Sequence, residues 1–147
     1  VNKDNVRVEL HCHSNVSDGT LSPAELAKKC LSSGIQFASL TDHDTTLGLS
    51  KFESVCKNNG IGFLSGIEIT SKINDADIHI LGYGFDRKSD AFSSLLAPVN
   101  EGTLPAEVTI RRIHNAGGIA VFAHPFAVGR DEKEVSEIIA SLVSSGL

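Results

Sequence analysis

Near its N-terminus the chain alternates strictly. Val6, Val8, Leu10 and Cys12 fall on one side of an extended segment, and Arg7, Glu9, His11 and His13 on the other. The period of two predicts a first strand over residues 6–12. A strand with one wholly polar face must border a solvated cavity or a metal site, because unpaired buried charge is costly.

Downstream, helix-like and strand-like runs take turns. Ser22-Pro23-Ala24-Glu25 reads as a helix start, with an N-cap serine, proline at the first helical position and an acid in the first turn; the helix stops before Gly34. Residues 35–40 form a second strand, 46–59 a second helix closed by Gly60, 61–69 a third strand and 78–85 a fourth. Only about eight residues without a helical pattern separate these last two strands. A parallel crossover needs roughly a dozen or more, so the pair is expected as an antiparallel hairpin. A helix over 106–115 ending at Gly117-Gly118, a fifth strand over 119–123 and a final amphipathic helix over 131–145 complete the series. The expected class is α/β. The sequence stops at Gly146-Leu147, where the pattern calls for another strand, so either the sheet is open or the sequence is a fragment.

A chain of 147 residues fits one domain, here 1–147, and can bury roughly 70% of its unfolded surface. A net charge of −5 argues against a broad basic face for duplex nucleic acid, while a small phosphorylated ligand held through metal ions stays compatible. No apolar run approaches the ~18 residues of a membrane helix. Three cysteines, an odd count without a CxxC, point to reduced thiols and a cytoplasmic protein.

Five of the six histidines fall at or near strand ends. His11 and His13, two apart, share one face, as two ligands of one metal must. Cys12 between them points away, into the core. Asp18 lies in the turn-rich run Ser17-Asp18-Gly19-Thr20. The second strand ends in Thr41-Asp42-His43-Asp44-Thr45, where His43 suits a ligand and the flanking Asp42 and Asp44 suit orienting its ring. Glu68 sits inside the apolar run Gly66-Ile67-Glu68-Ile69, where a cation must neutralise it. His79 opens the fourth strand, beside Glu68 if the hairpin holds, and His124 closes the fifth in Ala123-His124-Pro125. His114, among Arg111, Arg112 and Asn115, reads as surface, and Lys28, Lys29, Arg111 and Arg112 as solvated helix faces. Histidines with carboxylates and no thiolate suit Zn, Mn or Fe(II), and their number exceeds one site's three or four ligands.

The ordered runs Glu9-Leu10-His11-Cys12-His13-Ser14 through Ser17-Asp18-Gly19-Thr20, Thr41-Asp42-His43-Asp44-Thr45, Gly66-Ile67-Glu68-Ile69, Ile78-His79-Ile80-Leu81-Gly82-Tyr83 and Ala123-His124-Pro125 resemble successive motifs of the PHP (polymerase and histidinol phosphatase) superfamily. The likeness is nearest to its nucleoside-3′,5′-bisphosphate phosphatase and short-RNA 5′-exonuclease branch. It implies a distorted (β/α)7 barrel with up to three divalent ions at one mouth. Carried over, His11, His13 and Glu68 hold the first ion, Glu68 bridges to a second completed by His79 and His124, and Asp18 and His43 hold the third. His124, Asp18 and His43 also take catalytic roles.

Two departures accompany the resemblance. The family's late Asp-x-His motif does not occur, and the branch's helical insertion is replaced by about twenty residues around Asn100-Glu101-Gly102. The barrel is thus expected to be incomplete as given, and this 147-residue form to hold its third ion most weakly and turn over esters poorly or not at all. The expected chemistry is attack on a phosphate ester, of a nucleotide or short RNA, by metal-activated hydroxide. Arg130 is a candidate for a substrate phosphate. The alternative is a weakly active or inactive PHP module that binds metal for structure; a third reading is a metallohydrolase acting on amide bonds. Oligomeric state is not legible.

Overall fold

A computed structural model describes residues 6–97, 103–128 and 131–147. The chain divides into two compact units, one up to Ile67 and the other from Glu68. The long strand β3 (Gly62–Ile73) begins in the first and ends in the second.

The first unit holds β1 (Val8–Glu9), α1 (Pro23–Ser32), β2 (Phe37–Leu40), α2 (Leu49–Asn58) and the start of β3. Its strands are parallel, with Val8 opposite Phe37 and Leu40 opposite Ser65. The N-terminal signal of α1 is realised in full. Ser22 Oγ accepts from Glu25 N, and the Glu25 carboxylate accepts from Ser22 N at 2.9 Å and from its hydroxyl at 2.6 Å. The two helices pack on each other, and Ala27 and Cys30 of α1 and Leu49, Phe52 and Cys56 of α2 are buried.

Two expectations shift in this unit. The first strand is two residues long, not seven, and Val6, Val8 and Leu10 are exposed, so the alternating apolar face is not core here. The two segments nevertheless stay tied beyond the strand: Thr41 N donates to Cys12 O at 2.9 Å, and the Thr41 hydroxyl donates to the same carbonyl at 3.1 Å. The second helix begins at Leu49 rather than at 46. Its N-cap is Gly48, whose absent side chain leaves room for Asp42; a Cβ there would lie 2.8 Å from Asp42 Oδ2.

The second unit holds the rest of β3, β4 (Ala76–Tyr83), β5 (Leu104–Pro105), α3 (Ala106–Asn115), β6 (Ile119–Phe122) and α4 (Glu132–Ser144), with 3-10 turns at Asp90–Ser94 and Pro125–Val128. β3 and β4 are neighbours joined only by Asn74-Asp75, and a two-residue link can only reverse the chain, so they form the expected antiparallel hairpin. Asn74 takes the left-handed conformation (φ 51°) that such a turn demands. The expected eight-residue connection was mostly strand, because Thr70 to Ile73 continue β3. β4 runs antiparallel to β6, with Ile80 opposite Phe122 and Tyr83 opposite Ile119. The short β5, parallel to β3, was not anticipated; two residues carry no periodic signal.

α3 spans the expected residues and buries Ile110 and Ile113. Thr109 shares a hydrogen bond of 2.8 Å with Ser71 of β3, satisfying two fully buried hydroxyls. Arg112 is not a solvated face: it is half-buried and donates to the carbonyl of Ala97. α4 starts one residue later than expected, with Asp131 as its N-cap, whose side chain accepts from Glu134 N at 2.9 Å. No helix among the described residues is long and apolar enough to cross a membrane.

Candidate metal centre

In the first unit the polar residues gather where the chain leaves β1 and β2. The rings of His11 and His13 lie 5.2 Å apart, and those of His13 and His43 stack at 4.6 Å. Asp18 reaches both from its loop, with Oδ1 3.4 Å from His13 Nδ1 and Oδ2 3.8 Å from His43 Nε2. His13, Asp18 and His43 thus offer three donor atoms within 4.8 Å of one another, enough for a small cation.

In the second unit three residues converge more tightly. Glu68 Oε1 lies 2.8 Å from His124 Nε2 and 3.1 Å from His79 Nδ1, and the two ring nitrogens are 3.3 Å apart. Ligands bound at ~2.1 Å stand ~3.0 Å apart at right angles and ~3.4 Å apart at the tetrahedral angle. The spacing therefore fits one first-row divalent ion held by two imidazoles and a carboxylate. Glu68 is 1% exposed on a strand flanked by Ile67 and Ile69, where its charge needs a cationic partner. A cleft of about 160 Å³, lined by Asp77, Ile78, His79, Ala123, His124, Ala127 and Val128, opens beside the two histidines.

Local backbone explains how His79 and His124 meet. Ala123 N donates to His79 O at 3.0 Å, extending the β4–β6 ladder by one pair. His79 is thus the fourth residue of β4 and not its opener. In an unbroken strand residue 124 would face away from residues 79 and 123. His124 instead adopts φ 30°, a left-handed conformation that is costly for a non-glycine residue, and its ring comes round to Glu68.

Asp42 does something other than orient the neighbouring imidazole. It is 1% exposed and accepts from Ser14 N at 2.6 Å, Ser14 Oγ at 2.7 Å and Ser17 Oγ at 3.0 Å. Sequence reasoning missed Ser14 and Ser17; a carboxylate after the buried run Ser39-Leu40-Thr41 needs donors, but nothing in the spacing says which. Cys12 is turned away from the cluster as expected. Its Sγ donates to Ser39 O at 3.2 Å, and burial, reinforced by the nearby Cys30 and Glu9, pushes the thiol up to about 12. His114 is exposed on α3. Arg130 and the Asn100-Glu101-Gly102 junction lie outside the described residues.

A PHP domain family model matches residues 9–139. Among curated relatives, a 5′-3′ exoribonuclease of Haemophilus influenzae is 39% identical over 90 residues, covering 61% of this chain and 33% of its own. A 3′,5′-nucleoside bisphosphate phosphatase of Chromobacterium violaceum is 34% identical over 113 residues, covering 77% and 40% respectively. The chain therefore spans about a third to two fifths of the length of these relatives. Among solved structures, a Chromobacterium violaceum protein described as an amidohydrolase, with bound sulfate, superposes with a TM-score of 0.87 at 21% identity, over 96% of this chain and 75% of that one.

Proposed function

The chain belongs to the PHP domain family, and from that premise we propose that it is a metal-dependent phosphoesterase whose substrate is the phosphate ester of a nucleotide or short RNA. The observation that carries this reading is the Glu68, His79 and His124 triad, spaced as the ligands of one ion and opening on a cleft. We take residues 1–147 as one PHP domain, since the family match runs continuously across both units.

Seven side chains are assigned to metal: His11, His13, Asp18, His43, Glu68, His79 and His124. The donors are imidazole and carboxylate without thiolate, which suits Zn, Mn or Fe(II) in up to three sites. Such ions, when bound, polarise a phosphoryl oxygen and lower the pKa of water toward ~7. Glu68 supplies fixed negative charge from a buried position, so it cannot turn to solvent when a substrate phosphate competes for the cation. To His124, off-strand beside the cleft, we assign the steadying of a phosphoryl group entering there. Asp18, on an exposed loop, supplies the first cluster's charge next to His43, and we assign catalytic roles to His124, Asp18 and His43. Arg130 is a candidate for a substrate phosphate. The nucleotide assignment draws on the phosphatase and exoribonuclease relatives. Three free cysteines favour a reducing, cytoplasmic compartment. A purely structural metal module is the weaker reading, because it leaves a cleft beside the triad without a role.

The test is release of inorganic phosphate from a nucleoside 3′,5′-bisphosphate, and of mononucleotide from 5′-phosphorylated short RNA, with Mn²⁺ or Zn²⁺. Turnover that needs metal and vanishes in Glu68→Gln supports the reading. Metal uptake with no release above a metal-only control would favour the structural alternative.

A further inference from the structure

We propose that Asp42 is a positioning residue: its buried carboxylate clamps the loop of residues 14–19 and thereby sets where Asp18 meets His13 and His43. The inference rests on the metal-binding reading of that cluster and adds a mechanism for how a loop residue becomes a fixed ligand.

The chain leaving β1 and the chain leaving β2 are tied twice, on either side of His13 and immediately before His43. On one side Thr41 donates to Cys12 O through both its amide (2.9 Å) and its hydroxyl (3.1 Å). On the other, Asp42 takes Ser14 N and Ser14 Oγ on its two oxygens at 2.6 and 2.7 Å. His13 lies between Cys12 and Ser14, and His43 follows Thr41 and Asp42. The stacked rings at 4.6 Å are the consequence of these paired ties.

Ser14 then organises the loop. Fully buried, it has each of its polar groups engaged: its carbonyl accepts from Ser17 N (3.1 Å) and Gly19 N (2.9 Å), and its hydroxyl accepts from Val16 N (3.3 Å) while donating to Asp42. The turn closes so tightly that a Cβ on Gly19 would lie 2.1 Å from His13 O. Asp18 sits inside this turn, and the Ser17 hydroxyl stands 3.0 Å from Asp42 Oδ1 and 3.3 Å from Asp18 Oδ1. With one hydroxyl proton between two carboxylates, Ser17 links the buried acid to the exposed one. Asp42 touches neither His13 nor His43 in any of its hydrogen bonds; it acts through the loop.

The experiment is histidine-ring NMR of the full chain, metal-free and then titrated with buffered Zn²⁺. Ser17→Ala should raise the free zinc needed to half-saturate the His13 and His43 signals by about tenfold, the low end of what removing a ligand's supporting partner costs. Asp42→Asn should raise it further, and Ser17→Thr, which restores a hydroxyl, should recover it. The His79 and His124 midpoints should not move. In the metal-free spectra Asp42→Asn should also weaken the mutual ring-current shift of the stacked His13 and His43. Midpoints within threefold of wild type in both variants, or equal losses at all four histidines, would overturn the clamp. If wild-type protein shows no zinc response at these rings, the metal reading fails by itself. The metal-free ring shifts then decide the clamp, and an unchanged stack in Asp42→Asn refutes it.

Discussion

Replacing Glu68 with glutamine separates a metal ligand from a structural carboxylate, because the two roles predict opposite effects with and without metal. Glutamine keeps the shape and one neutral oxygen donor, so the change is chiefly one of charge. A unit negative charge ~2.1 Å from a divalent ion is worth about 4 kcal/mol even under full water screening, and more at a site 1% exposed. That converts to a loss of at least about 10³-fold in affinity. Without metal the same carboxylate is buried on β3, and its contacts with the His79 and His124 rings offset only part of the desolvation of its charge. The metal-free variant should therefore melt at the wild-type temperature or above it, while the zinc-dependent rise in melting temperature is largely lost. The assay is chelator competition for Kd, paired with thermal melts in chelator and in excess zinc. Zinc affinity within threefold of wild type would refute the ligand assignment. A metal-free variant destabilised by several kcal/mol would instead show that Glu68 serves the fold through its pairs with His79 and His124.

Other residues give independent checks. Ser22→Ala breaks the capping box of α1 and should cost about 1 kcal/mol in urea unfolding. The Ser22 hydrogen bonds hold the Glu25 carboxyl below its usual range, so the stability it contributes is present above pH ~4.5 and is lost as pH falls through the lowered value; Ser22→Ala should flatten that acid limb. Burial raises the thiols of Cys12 to about 12 and Cys56 to about 11, so both should react slowly with Ellman's reagent at pH 8 until denaturant is added. Because these thiols ionise first in the unfolded chain, stability should decline above pH ~9 and toward 11–12. His114→Ala, exposed on α3, should change neither zinc uptake nor stability by more than about 0.5 kcal/mol.

What could be read from the sequence was whatever a short window encodes. The cap of α1, the whole of α3 and the hairpin followed from local residue chemistry and from the length of a connection. The strand limits did not. Thr70 to Ile73 extend β3 because β4 and β5 pair with them, and partners distant in sequence leave no mark on periodicity. The apolar row Val6, Val8 and Leu10 promised a covered face, yet those side chains are exposed, since alternation reports which face is apolar and not whether anything lies against it.

The candidate centre divides along the same line. Residue types announced it: a carboxylate in the run Gly66-Ile67-Glu68-Ile69 has to meet positive charge, and a His-x-His pair on an extended segment shares one side. How the groups meet is a matter of backbone geometry that spacing does not encode. His124 joins Glu68 only because its φ of 30° undoes the alternation that would have sent the ring to the opposite face. The proline that follows disfavours ordinary helical values at residue 124 but does not select the left-handed one. Asp18 is brought to His13 and His43 by a turn whose hydrogen bonds converge on Ser14 and Asp42, residues that show no ligand pattern. In both clusters, then, the ligand is legible and the device that aims it is not. A substitution that spares all seven assigned ligands can still displace one of them, and Ser14, Ser17, Gly19 and Asp42 are where that should be sought first.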